Sequence, residues 1–374
     1  MKKYKKTNYK LSGSRAVMYD AQLLQIINSP DITIEEGVVS GAISGKRVLI
    51  TGGGGSIGGA LALKIAEYSP AKIILLDINE NNTYLLYRDI MQIYKNCNIC
   101  IEIASVRDKA RVEYVFLKHK PQVIFHAAAH KHVPLMQVAP SESVKNNLFG
   151  TLNMVKAAKK HGAEAFVLIS SDKAVNLNNV MGASKRACEL IVKNEAGSAK
   201  TKFSSVRFGN VFASDGSVIQ LFVNQLEQGE QLTLTHDQME RYFISVENAV
   251  KLVIYACVLS KGEGEIYMLD MGKPLKMADI AKKMSELYYA KTAIKVPVVC
   301  TGIRPGEALK EDCYLKNERV SIAKKGIYLV ESNLNLNNLN SELKELKKLT
   351  FSSKIDEENI ERKLFEIAKS AAID

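Results

Sequence analysis

The fold of this chain is decided by residues 47–77, which read RVLITGGGGSIGGALALKIAEYSPAKIILLD. A short apolar stretch, KRVLIT (46–51), leads into a glycine cluster, TGGGGSIGG (51–59). A helical pattern follows from Ile57 to Glu67, and a second apolar stretch, AKIILLD (71–77), closes the run. Short apolar runs on either side of a helix predict two buried parallel strands joined by a crossover helix.

The glycine cluster is placed to bind the diphosphate of a dinucleotide. Gly52 permits the tight turn, Gly55 lets the backbone approach the phosphates, and Gly58 lets the helix pack against the sheet. The amides of Ser56 and Ile57 open the helix, where free N–H groups and the helix dipole favour an anion. A glycine cluster can also form an ordinary turn, but this one has the required strand before it and the required helix after it.

Asp77 ends the second predicted strand, nineteen residues after Gly58. A carboxylate at this place can accept hydrogen bonds from the adenosine ribose hydroxyls, and it would repel a 2′-phosphate. The sequence therefore predicts a site for NAD rather than NADP.

Strands and helices continue to alternate as far as about residue 210. The predicted strands are NICIEI (98–103), QVIFHAA (122–128), AFVLIS (165–170) and FSSVRFG (203–209), and the predicted helices lie near 81–95, 108–118, 140–161 and 180–196. This alternation predicts a doubly wound α/β fold of Rossmann type, with a parallel sheet covered on both faces.

We expect four regions along the chain. They are an extension over 1–44, an NAD-binding domain over 45–212 to which parts of 240–270 return, a smaller and mainly substrate-binding region over 213–330, and a linker with C-terminal helices over 331–374. Ile360, Leu364, Ile367 and Ala368 share one face of the last helix, which predicts that this helix docks on the core or self-associates.

The composition is that of a globular protein with a basic balance. Lysine and arginine exceed the acids by 51 to 40, and five of the lysines lie within residues 1–10. We interpret this arm as a solvated tail and expect no nucleic-acid partner. The apolar runs are shorter than the roughly 18 residues that span a bilayer, and no signal peptide is recognisable, so we expect a cytoplasmic protein. Cys97 and Cys100 form a C-x-x-C, but no second pair lies at zinc spacing, and no metal site is predicted.

A second motif, SSDKAVNLNNVMGASK, occupies residues 170–185. Ser171, Asp172 and Lys173 follow the fifth predicted strand at its carboxyl end, where open α/β sheets bind their ligands. An adjacent carboxyl and amine can act as acid and base if their environments keep one protonated and the other neutral. In isolation, an SDK sequence would equally suit a surface turn.

These motifs occur in order with HAAAHKHVPLMQVAPSESVKNN, VRFGNVFASDGSVI, ERYFIS and TGIRPGE. Together they resemble the UDP-N-acetylglucosamine 4,6-dehydratases of the extended short-chain dehydrogenase/reductase family, over about residues 45–320. The resemblance is to the catalytic domain of large membrane-bound members that serve capsule, O-antigen and glycoprotein sugar biosynthesis. Those members have an N-terminal membrane region, so we interpret this chain as a short, soluble version.

The resemblance implies a dehydration with internally recycled NAD. Hydride passes from carbon 4 of the sugar to the tightly held cofactor, water is lost across carbons 5 and 6, and hydride returns to carbon 6. The product would be a UDP-4-keto-6-deoxy-N-acetylhexosamine with the carbon 5 configuration retained, as in members that carry methionine at the usual tyrosine position. Here Met181 holds that position, four residues before Lys185, and its thioether cannot carry a proton.

The resemblance also assigns roles to individual residues. Lys185 would hydrogen-bond the nicotinamide ribose, and Ser171 replaces the threonine of the family and would contact the sugar 4-hydroxyl. Further cofactor contacts are implied for Ser105, Val106, Ala127 and Ala128, and substrate contacts for Lys131, Asn210, Ser217, Val218, Arg241, Arg304 and Glu307. Asn147 would hold the helix that carries Lys185.

Two positions depart from the family pattern. His130 stands where tyrosine is common, and Asp215 stands where arginine is common. Because Asp215 places negative charge near a phosphate-binding segment, the nucleotide and the sugar remain open.

Relatives pair through the two long helices, here 140–161 and 180–196. Small side chains on these helices predict a homodimer or larger homo-oligomer; they are Ala157, Ala158, Ala183 and Ala187.

Two other functions are compatible with these residues. One is a UDP-sugar epimerase on the same scaffold, which would leave the mass of its substrate unchanged. The other is a catalytically silent NAD-binding protein in which Met181 is the lesion. The intact SDK motif argues against the silent protein, which would need neither the carboxyl nor the amine.

Overall fold

The structure is a computed structural model that describes residues 32–33, 35–197, 200–212 and 214–370. The lysine-rich arm and most of the predicted extension lie outside the described residues. The strands are β1 Arg47–Thr51, β2 Lys72–Asp77, β3 Ile99–Ile103, β4 Val123–His126, β5 Ala165–Ile169, β6 Lys202–Arg207, β7 Asn210–Val211, β8 Leu232–Leu234, β9 Glu240–Arg241, β10 Phe243–Ile244, β11 Glu265–Leu269, β12 Leu275–Lys276, β13 Val298–Cys300, β14 Arg319–Lys324 and β15 Ile327–Glu331.

Helices connect these strands and flank the sheet. They are α1 Glu36–Ile43, α2 Ser56–Ala66, α3 Glu80–Ile93, α4 Lys109–His119, α5 Val133–Val138, α6 Pro140–Ser143, α7 Gly150–Lys160, α8 Val180–Glu195, α9 Val218–Glu227, α10 Val246–Leu259, α11 Met277–Thr292, α12 Leu339–Thr350 and α13 Glu357–Ser370. A π-helical segment, Val144–Phe149, joins α6 to α7, so the predicted long helix over 140–161 is present but changes its winding along its length.

A central sheet confirms the predicted doubly wound fold. Its strand order is β14-β15-β11-β6-β5-β4-β1-β2-β3. All pairings from β3 to β11 are parallel, and the β14–β15 hairpin is added antiparallel at the far edge. The strand order reverses between β1 and β4, and ligands of such sheets bind in the crevice at this switch point.

The apolar strand sequences are explained by cover on both faces of the sheet. Every residue of β4 and β5 is buried, as expected for strands enclosed by helices on either side. One face packs against α2 and α10, and α1 packs on α10, so part of the predicted extension is folded onto the core. The other face packs against α7 and α8.

A second, smaller core lies in the part of the chain that follows β6. It is built from α9, α11 and the parallel pair β8–β13, with Phe222 and Met284 fully buried in it. β11 returns to the main sheet, as does the hairpin β14–β15. Along the sequence, the segments that build the smaller core therefore alternate with segments that join the large sheet.

The C-terminal helix α13 docks on the body of the chain. Ile360, Leu364 and Ile367 are fully buried, and α13 packs against α8 and α6. The Glu357 carboxylate accepts hydrogen bonds from the backbone N–H and the hydroxyl of Ser141, at 2.7 and 2.6 Å. The last helix was predicted either to dock on the core or to self-associate, and the structure shows that it docks.

The alanines expected to serve subunit pairing are buried inside this chain. Ala158, Ala183 and Ala187 have no exposed surface, and Ala157 is nearly as buried. These small side chains therefore permit close packing between α7, α8 and their neighbours within the chain. Self-association stays a prediction. No helix in the described ranges is both long and apolar enough to cross a bilayer.

Truncating the docked face of α13 should destabilise the fold. Leu364→Ala removes a fully buried side chain, and such changes cost about 2–5 kcal/mol. The control Lys344→Ala alters an exposed side chain on α12 and should stay within about 0.5 kcal/mol of the parent. Denaturant unfolding measures both, and equal unfolding free energies for the two variants would contradict the docking of α13.

Candidate active site

The glycine cluster forms a loop pressed against the end of β4. Gly52 has φ +67°, and a Cβ there would lie 2.8 Å from the carbonyl carbon of Ala127 and the nitrogen of Ala128. A Cβ on Gly58 would lie 2.1 Å from the Gly52 oxygen. Side chains at either glycine would push the loop away from the sheet. The first turn of α2 is thereby held at the switch point with its free amides facing outward from the helix end.

The Asp77 carboxylate is fixed beside this loop. Its Oδ2 accepts a hydrogen bond from the Gly54 N–H at 2.9 Å, and its Oδ1 accepts one from the Asn79 N–H at 2.8 Å. A carboxylate oxygen can accept more than one donor, so both oxygens retain capacity for ribose hydroxyls. The donor set and the glycine cradle fit NAD.

The other predicted cofactor residues follow the carboxyl ends of β3 and β4. Ser105 and Val106 follow β3, and the Val106 carbonyl accepts a hydrogen bond from the Asn153 side chain at 3.0 Å. The Ala128 N–H donates to the Thr51 hydroxyl at 3.3 Å, which holds the chain after β4 against β1.

Ser171, Asp172 and Lys173 form a tight turn directly after β5. Asp172 is 1% exposed, and its Oδ1 accepts hydrogen bonds from the Ser171 hydroxyl at 2.8 Å and from Lys173 Nζ at 3.0 Å. The other oxygen, Oδ2, is buried and has no hydrogen-bond partner among the described residues. The predicted carboxyl and amine thus form an ion pair with a buried carboxylate, one oxygen of which is left for another donor.

A glycine in α8 allows this turn to sit where it does. A Cβ on Gly182 would lie 2.3 Å from the Lys173 carbonyl oxygen. The Asn179 side chain caps α8 by accepting a hydrogen bond from the Gly182 N–H at 2.8 Å. The start of α8 is therefore in direct contact with the turn. Gly182 lies within the motif at residues 170–185, but it was not among the predicted site residues.

Lys185 and Met181 occupy one face of α8, one turn apart. Lys185 Nζ donates to the Ile169 carbonyl at 2.9 Å, at the end of β5, and burial lowers the pKa of its ammonium group. Met181 is 2% exposed and packs in the core that lies on this side of the sheet. The π-helical segment supports this arrangement, because the Asn147 side chain donates to the Ser184 hydroxyl at 2.9 Å and to the His130 carbonyl at 3.0 Å.

Four buried charges lie behind the turn. The Arg207 guanidinium donates to Glu189 and to Glu318, each at 2.7 Å, and Arg186 contacts the same two carboxylates at 3.1 and 3.2 Å. The Ser170 hydroxyl, next to the turn, donates to Glu189 at 2.7 Å. This network joins β5, β6, α8 and the segment that precedes β14.

Two predicted substrate residues, Asn210 and Arg241, lie near the SDK turn, and a third, Arg304, lies on a neighbouring loop. Asn210 Oδ1 is 3.4 Å from Lys173 Nζ. Arg241 is buried and donates to three backbone carbonyls, two of which belong to Ala308 and Leu309. Arg304 is more exposed and pairs with Glu307 at 2.6 Å.

The loop that contains Arg304 rests on the start of α8. A Cβ on Gly306 would lie 3.0 Å from the Asn179 Cβ and 3.2 Å from the Gln137 side chain. Gln137 in turn accepts from the Val180 N–H and donates to Glu361 of α13. The loop is thereby held beside the SDK turn.

Lys131 and Asp215 link the substrate side of the crevice to the glycine loop. Lys131 Nζ donates to the Asp215 carbonyl at 2.7 Å, and the Asp215 carboxylate accepts from the Ser56 hydroxyl at 2.9 Å. The unusual aspartate therefore lies at the opening turn of α2. Ser217 caps α9 through its hydroxyl, and Val218 packs against the smaller core.

Sequence reasoning missed one ionisable group in this crevice. The Glu311 carboxylate is buried, with Oε1 3.6 Å from Lys173 Nζ and 3.7 Å from Arg241 Nε. The only signal in the sequence was its place four residues after Glu307, in a segment where an acidic residue is unremarkable.

The fold and the glycine loop together define a Rossmann-type protein of the extended short-chain dehydrogenase/reductase type. The chain belongs to the family described as polysaccharide biosynthesis protein, whose profile matches residues 48–332. It is 45% identical over 311 residues to "Probable polysaccharide biosynthesis protein EpsC" of Bacillus subtilis, covering 82% of this chain and 52% of that protein. The chain thus spans about half the length of that relative.

Other relatives carry names of two different activities. A UDP-N-acetylglucosamine 4,6-dehydratase (inverting) of Campylobacter jejuni is 33% identical, covering 72% of this chain and 77% of the relative. A UDP-glucose 4-epimerase of Rickettsia canadensis is 34% identical, covering 70% and 75%. The X-ray structure of Pen from Bacillus thuringiensis superposes with a TM-score of 0.73 at 29% identity, covering 86% of this chain and 97% of that structure.

The contact between α8 and the SDK turn can be tested with a pair of glycine variants. Gly182→Ala would force the helix and turn apart, and overpacking of this kind costs about 1–3 kcal/mol or more. Gly59→Ala, in α2, meets only ordinary contacts at 3.6 Å and should be neutral or stabilise by about 0.4–1 kcal/mol. Denaturant unfolding measures both variants. A Gly182→Ala protein as stable as the parent would show that the helix does not touch the turn.

Proposed function

We propose that this protein is a nucleotide-sugar 4,6-dehydratase that acts on UDP-N-acetylglucosamine with internally recycled NAD. The observation that carries the proposal is the Asp172–Lys173 ion pair, with its buried carboxylate, at the carboxyl end of β5. A pure hydride transfer needs one proton carrier, whereas elimination of water needs an acid at the leaving oxygen and a base at the neighbouring carbon. The pair supplies both.

NAD binding is supported by the glycine loop, the open end of α2 and the Asp77 carboxylate. When bound, NAD would supply the hydride acceptor at carbon 4 of the sugar and the hydride donor at carbon 6. Lys185, held by the Ile169 carbonyl, would contact the nicotinamide ribose. Met181 lies one turn before Lys185 on α8. Its apolar thioether would therefore stand where a tyrosine would otherwise carry a proton.

The proton transfers would be carried out by the SDK turn. Moving one proton from Lys173 Nζ to Asp172 converts the ion pair into a carboxylic acid and an amine. Asp172 would then protonate the carbon 6 hydroxyl as it leaves, and Lys173 would take the carbon 5 proton. Ser171, which donates to Asp172, would orient the carboxyl group and contact the sugar 4-hydroxyl, whose proton would pass to solvent as carbon 4 is oxidised. Lys173 would return its proton to carbon 5 as hydride reaches carbon 6, and Asp172 would regain a proton from solvent.

A UDP-sugar is supported by the cationic side chains along the crevice and by the names of the relatives. Arg304 offers a planar fork that suits a diphosphate, and the phosphates would compete with Glu307 for it. Lys131 adds a point charge near the opening of α2. N-acetylglucosamine as the sugar rests on the motif resemblance and on the named dehydratases.

The second candidate function is a UDP-sugar 4-epimerase. It is favoured by the relative of that name at a similar identity. Met181 does not distinguish the two activities, because both remove the proton of the 4-hydroxyl. The Asp172–Lys173 pair favours dehydration, since epimerisation needs neither an acid at the carbon 6 oxygen nor a base at carbon 5. Loss of one water from the substrate distinguishes dehydration from epimerisation by mass.

We expect purified protein to retain NAD(H) and Asp77 to discriminate against NADP. Asp77→Asn removes the charge that repels a 2′-phosphate while keeping the hydrogen-bonding shape, so its preference for NAD should weaken. Cofactor released from parent and variant is identified by mass spectrometry. Preferential recovery of NADP from the parent would overturn the assignment.

Substitutions in the SDK turn should separate proton transfer from packing. Asp172→Asn and Lys173→Met should each lower turnover of UDP-N-acetylglucosamine by about 10²–10⁴-fold, since neither can exchange the required proton. Ser171→Ala should be milder. Met181→Leu keeps an apolar side chain of similar size and should retain substantial turnover.

Turnover is measured as product that has lost one water, with the fold and NAD content of every variant checked in parallel. Full activity in Asp172→Asn and Lys173→Met together with an inactive Met181→Leu would contradict the mechanism.

A further inference from the structure

Glu311 is the second carboxylate beside Lys173. It lies between β13 and β14, and its Oε1 is 3.6 Å from Lys173 Nζ and 3.7 Å from Arg241 Nε. Its other oxygen is buried and has no hydrogen-bond partner among the described residues. One ammonium group, on a side chain that is 16% exposed, therefore faces two buried carboxyl groups, with Asp172 the nearer at 3.0 Å.

The cations near Glu311 compensate its charge only in part. Arg241 directs hydrogen bonds to the carbonyls of Glu240, Ala308 and Leu309, and its Nε stays beyond hydrogen-bond distance of Glu311. Lys173 is shared with Asp172. Glu311 therefore lies in a desolvated site whose two nearest cations, Lys173 and Arg241, are both beyond hydrogen-bond distance.

The charges in this cluster influence one another. Burial raises the pKa of Glu311, and the Asp172 charge adds to this rise, while Lys173 and Arg241 reduce it without cancelling it. Burial lowers the pKa of Lys173, but the charges of Asp172 and Glu311 outweigh burial, so the pKa of Lys173 is raised overall. An ionised Glu311 thus opposes loss of a proton from Lys173.

Two other titratable groups adjoin this segment. Burial raises the pKa of Tyr242 to about 12 and that of Cys313 to about 11. Both are therefore neutral at neutral pH and add no charge beside Glu311. The groups that face Glu311 with variable or permanent charge are Asp172 and Lys173 of the turn and Arg241 of β9.

We propose that Glu311 is a positioning residue that acts through Lys173 and determines which group of the Asp172–Lys173 pair holds the shared proton. Protonated Glu311 is neutral and allows one proton to pass from Lys173 Nζ to Asp172, giving the amine and the carboxylic acid. Ionised Glu311 holds that proton on Lys173 and keeps the pair in its inactive, charged form. Glu311 keeps its own proton during turnover. This inference rests on the proposed dehydratase function, since that function gives the acid and the base their roles.

The direct test compares the pH dependence of turnover in the parent and in Glu311→Gln. Glutamine has the shape of protonated glutamic acid and cannot ionise. Parent turnover should fall on the alkaline side as Glu311 loses its proton. In Glu311→Gln that fall should move to higher pH by at least about one unit, while turnover at the optimum stays within about tenfold of the parent.

A neighbouring glutamate provides the matched control. Glu240 lies next to Arg241 in sequence and pairs with Lys310 at 3.3 Å, away from Lys173. Glu240→Gln should therefore leave the pH profile of the parent unchanged. If turnover of Glu311→Gln falls at the same alkaline pH as turnover of the parent, the inference is overturned, whatever the turnover at the optimum. If the alkaline fall in turnover moves to higher pH in Glu240→Gln as well, the inference is also overturned. The shift would then come from removing any negative charge in this region.

A second measurement does not depend on activity or on a folded Glu311→Gln protein. With glutamate labelled by ¹³C at the side-chain carboxyl, the Glu311 resonance is assigned by its loss in Glu311→Gln or, if that variant does not fold, in Glu311→Asp. Its midpoint should lie above the ordinary value of about 4.3, and it should fall in Asp172→Asn, which removes the charge that raises it.

The outcomes separate this inference from the proposed function. An ordinary midpoint, or one insensitive to Asp172→Asn, would overturn the role of Glu311 even in an active enzyme. A parent that releases no dehydrated product would reject the proposed function, whereas the titration would still decide whether Glu311 is coupled to the pair.

Discussion

Four buried charges hold the centre of this structure together. Arg207 and Arg186 share the carboxylates of Glu189 and Glu318, so each charge is neutralised where water is excluded. Removing one partner of such a group leaves an uncompensated buried charge, which costs about 3–5 kcal/mol. The segments that carry these four charges can therefore move little without breaking the network.

Those segments are the ones that assemble the crevice. Glu189 receives the Ser170 hydroxyl and so fixes the residue before the SDK turn, while Glu318 fixes the segment that delivers Glu311. The close approach of Gly182 brings α8 onto the same turn. Because chain regions far apart in sequence meet at Lys173, the protonation of the Asp172–Lys173 pair depends on the whole surrounding structure.

The sequence was sufficient for the features that depend on local pattern. Continuous apolar runs predicted the buried parallel strands, and the glycine spacing with Asp77 predicted a loop and a carboxylate that lie together in the structure. Contacts between distant segments were not predictable in this way. Nothing local to Glu311 shows that it reaches Lys173, 138 residues earlier in the chain. Likewise, small alanines such as Ala183 suit close packing within a chain as well as between chains, and pattern alone cannot distinguish the two.

The central claim is that this crevice removes water from a UDP-sugar and returns to carbon 6 the hydride taken from carbon 4. The most direct measurement uses UDP-N-acetylglucosamine deuterated at carbon 4, incubated with the purified protein and no added cofactor, with the product analysed by mass spectrometry and NMR. The account predicts a product lighter by one water with the deuterium at carbon 6. Deuterium that remains at carbon 4 in a product of unchanged mass would contradict it and would establish epimerisation instead.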